Sequence, residues 1–132
     1  MVLAADCLPV AVGTPAAVGV IHAGWRGLAA GVLESGVAAL RELGEGPVQA
    51  IIGPAAGPCC YRVGPEVFAA LGVADSGEDH IDLRAVAHRR LAAAGVEQVD
   101  DVARCTICDE RYFSHRRQGA AAGRQAVVAW LS

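Results

Sequence analysis

The chain is 132 residues long, 54% hydrophobic and 19% charged, with a formal net charge of −3. That balance gives one domain with a packed core and excludes a disordered polymer. The acidic sign argues against a nucleic-acid partner, and the absence of an apolar run of roughly 18 residues argues against a membrane span.

Val2-Leu3-Ala4 reads as strand from the start, with no lead-in, so the chain is expected to resemble a domain entered part-way. Leu8–Val12 and Ala17–Ile21 are short apolar runs separated by Gly13-Thr14-Pro15, which predicts two strands joined by a turn. From Trp25 the period changes. Trp25, Leu28, Ala29, Val32, Val37, Leu40 and Leu43 fall at helical spacing, closed by Gly44. Gly31 and Gly36 each cost such a helix up to ~1 kcal/mol relative to alanine, a cost that close packing on a sheet would explain. Val48–Ile52 predicts a strand that runs into the irregular loop GPAAGPCCY, and Pro65–Leu71 a short helix. Asp82 is placed to cap a second long helix stopped by Gly95, with Leu83, Val86, Ala87 and Leu91 inward and Arg84, His88 and Arg89 outward. Val99–Cys105 and Arg124–Trp130 complete the strands. Strands and helices mix without strict alternation, which favours a mixed α/β (α+β) domain over a doubly wound parallel sheet.

Met1–Val10 has no basic n-region and carries Asp6 and Pro9, so no signal peptide is read and the cytoplasm is the expected address. Five cysteines, an odd count, then favour free thiols or metal ligands over a disulfide framework.

Three stretches carry chemistry-bearing residues. In ADC and HAGWRG, Cys7 and His22 each stand at the end of an apolar strand, where α/β folds build sites. Neighbouring strands would bring thiol and imidazole together, either as a nucleophile with its base or as two zinc ligands. A buried cysteine and a core histidine are the plain alternative. Asp6, beside the cysteine, is a candidate acid/base or an orienting group. Arg26 opens the following helix and suits a phosphate or carboxylate. In the second stretch, Ile51–Gly64, adjacent Cys59 and Cys60 are expected to pack in the loop, since neighbouring side chains do not readily meet at one metal. In the third, Cys105-x-x-Cys108 is half a zinc site without a second C-x-x-C, so it is expected to hold no metal. Ser114, His115, Arg116 and Arg117 follow, a hydroxyl and adjacent arginines suited to an oxyanion, within a basic crowd that includes Arg111 and Arg124. His80 and His88 read as loop and surface residues.

The order ADCLPV, HAGWRG, IGPAAGPCCYRVG, then CTIC, YFSHRR and GRQ, resembles the laccase-domain family, once labelled multicopper polyphenol oxidase and regarded as purine nucleoside phosphorylases. The resemblance runs from Ala4 to Trp130. It implies a four-layer α/β/β/α fold around a mixed β-sandwich. It implies one zinc, with copper as the alternative, held by two histidines and a cysteine, of which Cys7 and His22 match two. The other histidine belongs to a QVHG motif that this sequence does not carry. Arg62, His115 and Ile107 stand where the family often has glutamate, an aromatic and tyrosine. The implied partners are a purine nucleoside and phosphate. The implied reaction is phosphorolysis of adenosine, inosine or methylthioadenosine, accompanied by adenosine deamination, with Asp6, Cys7 and His22 catalytic and Arg26, Ser114 and Arg116 binding phosphate or substrate. Two other readings stand beside it: a Cys–His hydrolase or deamidase, and an inactive fragment with an incomplete metal site.

Overall fold

The computed structural model describes residues 1–132. Strands β1 (Val2–Ala4), β2 (Leu8–Gly13) and β3 (Val18–Ala23) lead into helices α1 (Trp25–Ala29) and α2 (Val32–Leu43). Then come β4 (Gln49–Ile52), α3 (Pro65–Leu71), α4 (Leu83–Ala93), β5 (Gln98–Asp101), α5 (His115–Gln118) and β6 (Gln125–Val127). Four strands form one sheet in the order β3-β2-β4-β5, antiparallel except for the parallel β4–β5 pair. β1 and β6 form a separate antiparallel ladder. The domain is therefore mixed α/β with a mixed sheet.

Alternation decides the faces of the main sheet. Leu8, Val10 and Val12 of β2, Ile21 and Ala23 of β3, and Ala50 and Ile52 of β4 are buried in one core. α2 closes that face with Leu33, Val37 and Leu40, and α4 with Leu83, Val86, Ala87 and Leu91. Each fully buried leucine stabilises the fold by roughly 1.5–3 kcal/mol relative to exposure. The other face turns His22 outward. There the small β1–β6 ladder lies over the sheet, since the Leu3 carbonyl accepts from His22 Nδ1 and a side chain on Gly53 would meet Pro9 and Val127. The chain thus supplies a helical layer and two stacked sheets of the expected sandwich.

Three expectations are corrected. The long helix is broken at Ala30 and Gly31, because Gly31 adopts the left-handed conformation with φ of 86° and restarts the chain as α2. Gly36, by contrast, is kept by packing: a Cβ there would run into Ile21. The strand expected over Val99–Cys105 ends at Asp101, whose carboxylate takes the Ala103 N–H at 2.7 Å and turns the chain away through a left-handed Ala103. Arg84 is not on the outer face of its helix but buried. It donates to Asp101 Oδ1 and to the Ala55 carbonyl, both at 2.8 Å, and to the Arg104 carbonyl. This guanidinium fastens α4 to the end of β5 and to the loop after β4. His88 points to the same carboxylate, its Nε2 3.4 Å from Asp101 Oδ2.

Candidate active site

The register of β2 and β3 brings the first pair together. Pro9 stands opposite His22. Directly opposed residues of an antiparallel pair share a face, and so do residues two apart along a strand. Cys7 therefore falls on the His22 side, near Gly24. A Cβ on Gly24 would stand 3.0 Å from Cys7 Sγ, so glycine is what leaves the thiol its room. Cys7 and His22 line one cavity of about 310 Å³, together with Asp6, His115, Arg116 and Arg124. A larger cavity of about 660 Å³ lies against Arg84, His88 and Cys59, but it does not gather this chemistry.

His22 Nδ1 lies 3.0 Å from the Leu3 carbonyl oxygen, which can only accept, so Nδ1 carries the proton and the lone pair of the neutral ring sits on Nε2. That is the tautomer a metal-binding imidazole uses, with its second nitrogen anchored on a backbone oxygen. The Cys7 thiol is pushed up by burial and by the Asp6 carboxylate, with Arg124 opposing. Soft sulfur and imidazole nitrogen are the donor types zinc and copper take, so the pair fits the implied metal as two of its ligands.

Asp6 is 6% exposed and has a left-handed backbone, φ 91°. Its Oδ1 accepts from the Thr106 hydroxyl and its Oδ2 from the Arg116 N–H, both at 2.7 Å. Its own carbonyl accepts from the Ala56 N–H at 2.8 Å. With both carboxylate oxygens taken, Asp6 ties the Cys7 turn to two other loops. Strain of this kind, about 1–3 kcal/mol, survives only where surroundings over-determine it.

The arginines divide by what they touch. Arg116 stacks over the Tyr61 ring at 4.5 Å and donates to the Arg62 carbonyl at 2.6 Å, which holds its guanidinium on the cavity wall. Arg117 is consumed by the backbone, donating to the carbonyls of Thr106, Ile107 and Tyr112. Arg26 stacks over Trp25 at 4.4 Å and lines an adjoining cavity of about 350 Å³ that shares Arg116 with the first. Ser114 departs from the expected phosphate contact. It is 0% exposed, and its hydroxyl caps α5 by accepting from the Arg117 N–H at 3.2 Å. Ser114→Ala should therefore cost about 1 kcal/mol of stability, read from urea unfolding, with no change in phosphate dependence. Tyr61 went unread in the sequence, and only the resemblance to a CCY string marked its position.

The four remaining cysteines do not follow the sequence reading either. Cys59, Cys60, Cys105 and Cys108 converge, their sulfurs all within 4.8 Å of one another. Cys59 and Cys60 sit in a turn, with the Cys60 and Tyr61 N–H groups donating to the Gly57 carbonyl. Successive side chains there do not alternate as in a strand, so adjacency does not prevent convergence. The same turn supplies the partners that Cys105-x-x-Cys108 lacked in sequence.

The model of the multi-copper polyphenol oxidoreductase laccase family matches residues 1–132. The chain belongs to that family. It is 46% identical over 147 residues to a purine nucleoside phosphorylase of Xylella fastidiosa (strain Temecula1), covering 99% of this chain and 56% of that protein. It is 41% identical to purine nucleoside phosphorylase YfiH of Escherichia coli (strain K12), covering 98% and 58%. Among solved structures, NMB0706 of Neisseria meningitidis superposes with a TM-score of 0.82 at 37% identity, over 93% of this chain and 56% of that one. YlmD of Geobacillus stearothermophilus does so with a TM-score of 0.82 at 34% identity, over 92% and 53%. The chain spans about half the length of the curated relatives it matches. No helix is long and apolar enough to cross a membrane.

Proposed function

We propose that the protein is a purine nucleoside phosphorylase whose reaction site includes the cavity of Cys7, His22, Arg116 and Arg124. The observation that carries this reading is the cavity itself, which is lined by a thiol, an imidazole and two guanidinium groups. Relatives named purine nucleoside phosphorylase at 46% and 41% identity support it. Phosphate is the co-substrate. One of its oxygens bonds to the ribose C1′ as the bond from C1′ to the purine nitrogen breaks. The purine leaves with that electron pair and takes up a proton, giving free base and ribose 1-phosphate.

Arg116 and Arg124 hold the phosphate dianion by charge-assisted hydrogen bonds and lower the cost of its approach. Arg26, in the adjoining cavity, reaches substrate groups that extend past Arg116. Cys7 Sγ and His22 Nε2 would hold the metal, zinc with copper as the alternative, as two of its ligands. A metal held there would supply Lewis acidity, which also suits a second activity, deamination of adenosine. Asp6 acts by holding the Cys7 turn and the Arg116 backbone in place. Adenosine, inosine and methylthioadenosine are the substrates, and the cytoplasm, which keeps cysteines such as these five free thiols reduced, is the address.

Incubation with inosine and phosphate tests the reading, with phosphorus NMR for the sugar phosphate and liquid chromatography for the free base and free ribose. Ribose 1-phosphate and hypoxanthine should appear in equal amounts and only with phosphate present. Free ribose, or base release without phosphate, would contradict it.

A further inference from the structure

We propose that Cys59, Cys60, Cys105 and Cys108 form a structural zinc centre, a four-thiolate site separate from the cavity of Cys7 and His22. Zinc–sulfur bonds of about 2.3 Å in a tetrahedron put the sulfurs about 3.8 Å apart. Cys59 Sγ and Cys108 Sγ stand at 3.9 Å, and all four sulfurs lie within 4.8 Å of one another. Closing the shell therefore needs side-chain shifts of no more than about 1 Å. No other group of three or more Cys, His, Asp or Glu side chains in the chain converges in this way.

The backbone around the sulfurs is arranged for thiolates. Gly57 N–H donates to Cys105 Sγ at 3.3 Å. Such a donor helps offset the surplus negative charge that four thiolates leave around a divalent ion. Gly57 allows the approach: a Cβ there would stand 3.1 Å from Cys105 Cβ and 3.4 Å from the sulfurs of Cys105 and Cys59. The two loops are already fastened together by Ala55 N–H to the Arg104 carbonyl and Thr106 N–H to the Ala55 carbonyl, both at 3.1 Å. Core packing does not account for the cluster, because Cys59 and Cys108 are exposed. Four soft sulfurs and no oxygen donor select zinc over magnesium or calcium. On binding, the thiol protons pass to solvent and the four sulfurs coordinate as thiolates.

The centre braces the reaction cavity from behind. One of its loops continues into Tyr61, on which Arg116 stacks. The other presents the Thr106 hydroxyl to Asp6 and the Thr106 and Ile107 carbonyls to Arg117.

The test uses the full chain, reduced and stripped of metal, with Cys7→Ser and His22→Ala to silence the cavity pair, and Zn²⁺ alone as the probe. One equivalent should bind, and X-ray absorption should show four sulfur neighbours at about 2.3 Å. Adding Cys59→Ser or Cys108→Ser, both at exposed positions that leave the core intact, should weaken zinc binding at least ~10-fold. No bound zinc, a shell with nitrogen or oxygen and fewer than four sulfurs, or affinity unchanged by the serine substitutions would overturn the proposal.

Discussion

Replacing Arg84 by methionine is expected to destabilise the fold by about 3–5 kcal/mol, the range for removing one partner of a buried ion pair. Methionine keeps most of the volume on α4 but leaves the Asp101 carboxylate, 17% exposed, without its cation. It also leaves the Ala55 and Arg104 carbonyls without the donor that now serves both. Arg84→Lys should recover only part of the loss, because an ammonium cannot present the planar fork that spans three acceptors. Urea unfolding with unchanged m-value measures the effect. A loss below about 1 kcal/mol would mean that Arg84 behaves as a surface pair.

His22→Ala and Cys7→Ala should each lower kcat/KM for phosphorolysis at least ~100-fold while circular dichroism and the unfolding midpoint stay near those of the parent. Perturbing a group that merely supports a metal ligand costs about 10–100-fold, and these two are the donors themselves. Neither side chain lies in the main core: Cys7 is half-buried and His22 exposed. Activity within about tenfold of the parent would place the chemistry elsewhere.

Most elements were legible because their signals are local. The apolar runs at Leu8–Val12 and Val48–Ile52 carry strands, and Asp82 accepts from the Ala85 N–H at 3.0 Å as the cap of α4. Cys7 and His22 were readable as a pair because both stand at strand ends and one hairpin sets their register. What escaped the sequence depends on distant partners. Arg84 reads as an outward charge until Asp101 and Ala55, 17 and 29 residues away, are seen around it. Ser114 and Arg117 read as anion binders, whereas one caps a helix and the other serves three carbonyls. The thiol cluster joins Cys59 to Cys108 across 49 residues, a spacing no short motif encodes.

The proposed phosphate site is the Arg116 side of the Cys7–His22 cavity. Its most direct test is the phosphate saturation curve of Arg116→Met at fixed, saturating nucleoside. Methionine retains apolar contact with Tyr61 but removes the guanidinium. A hydrogen bond to a charged group is worth about 1.5–3 kcal/mol, and tenfold corresponds to about 1.4 kcal/mol. The phosphate KM should therefore rise at least ~10-fold while the nucleoside KM changes little. A phosphate KM equal to that of the parent would contradict the account.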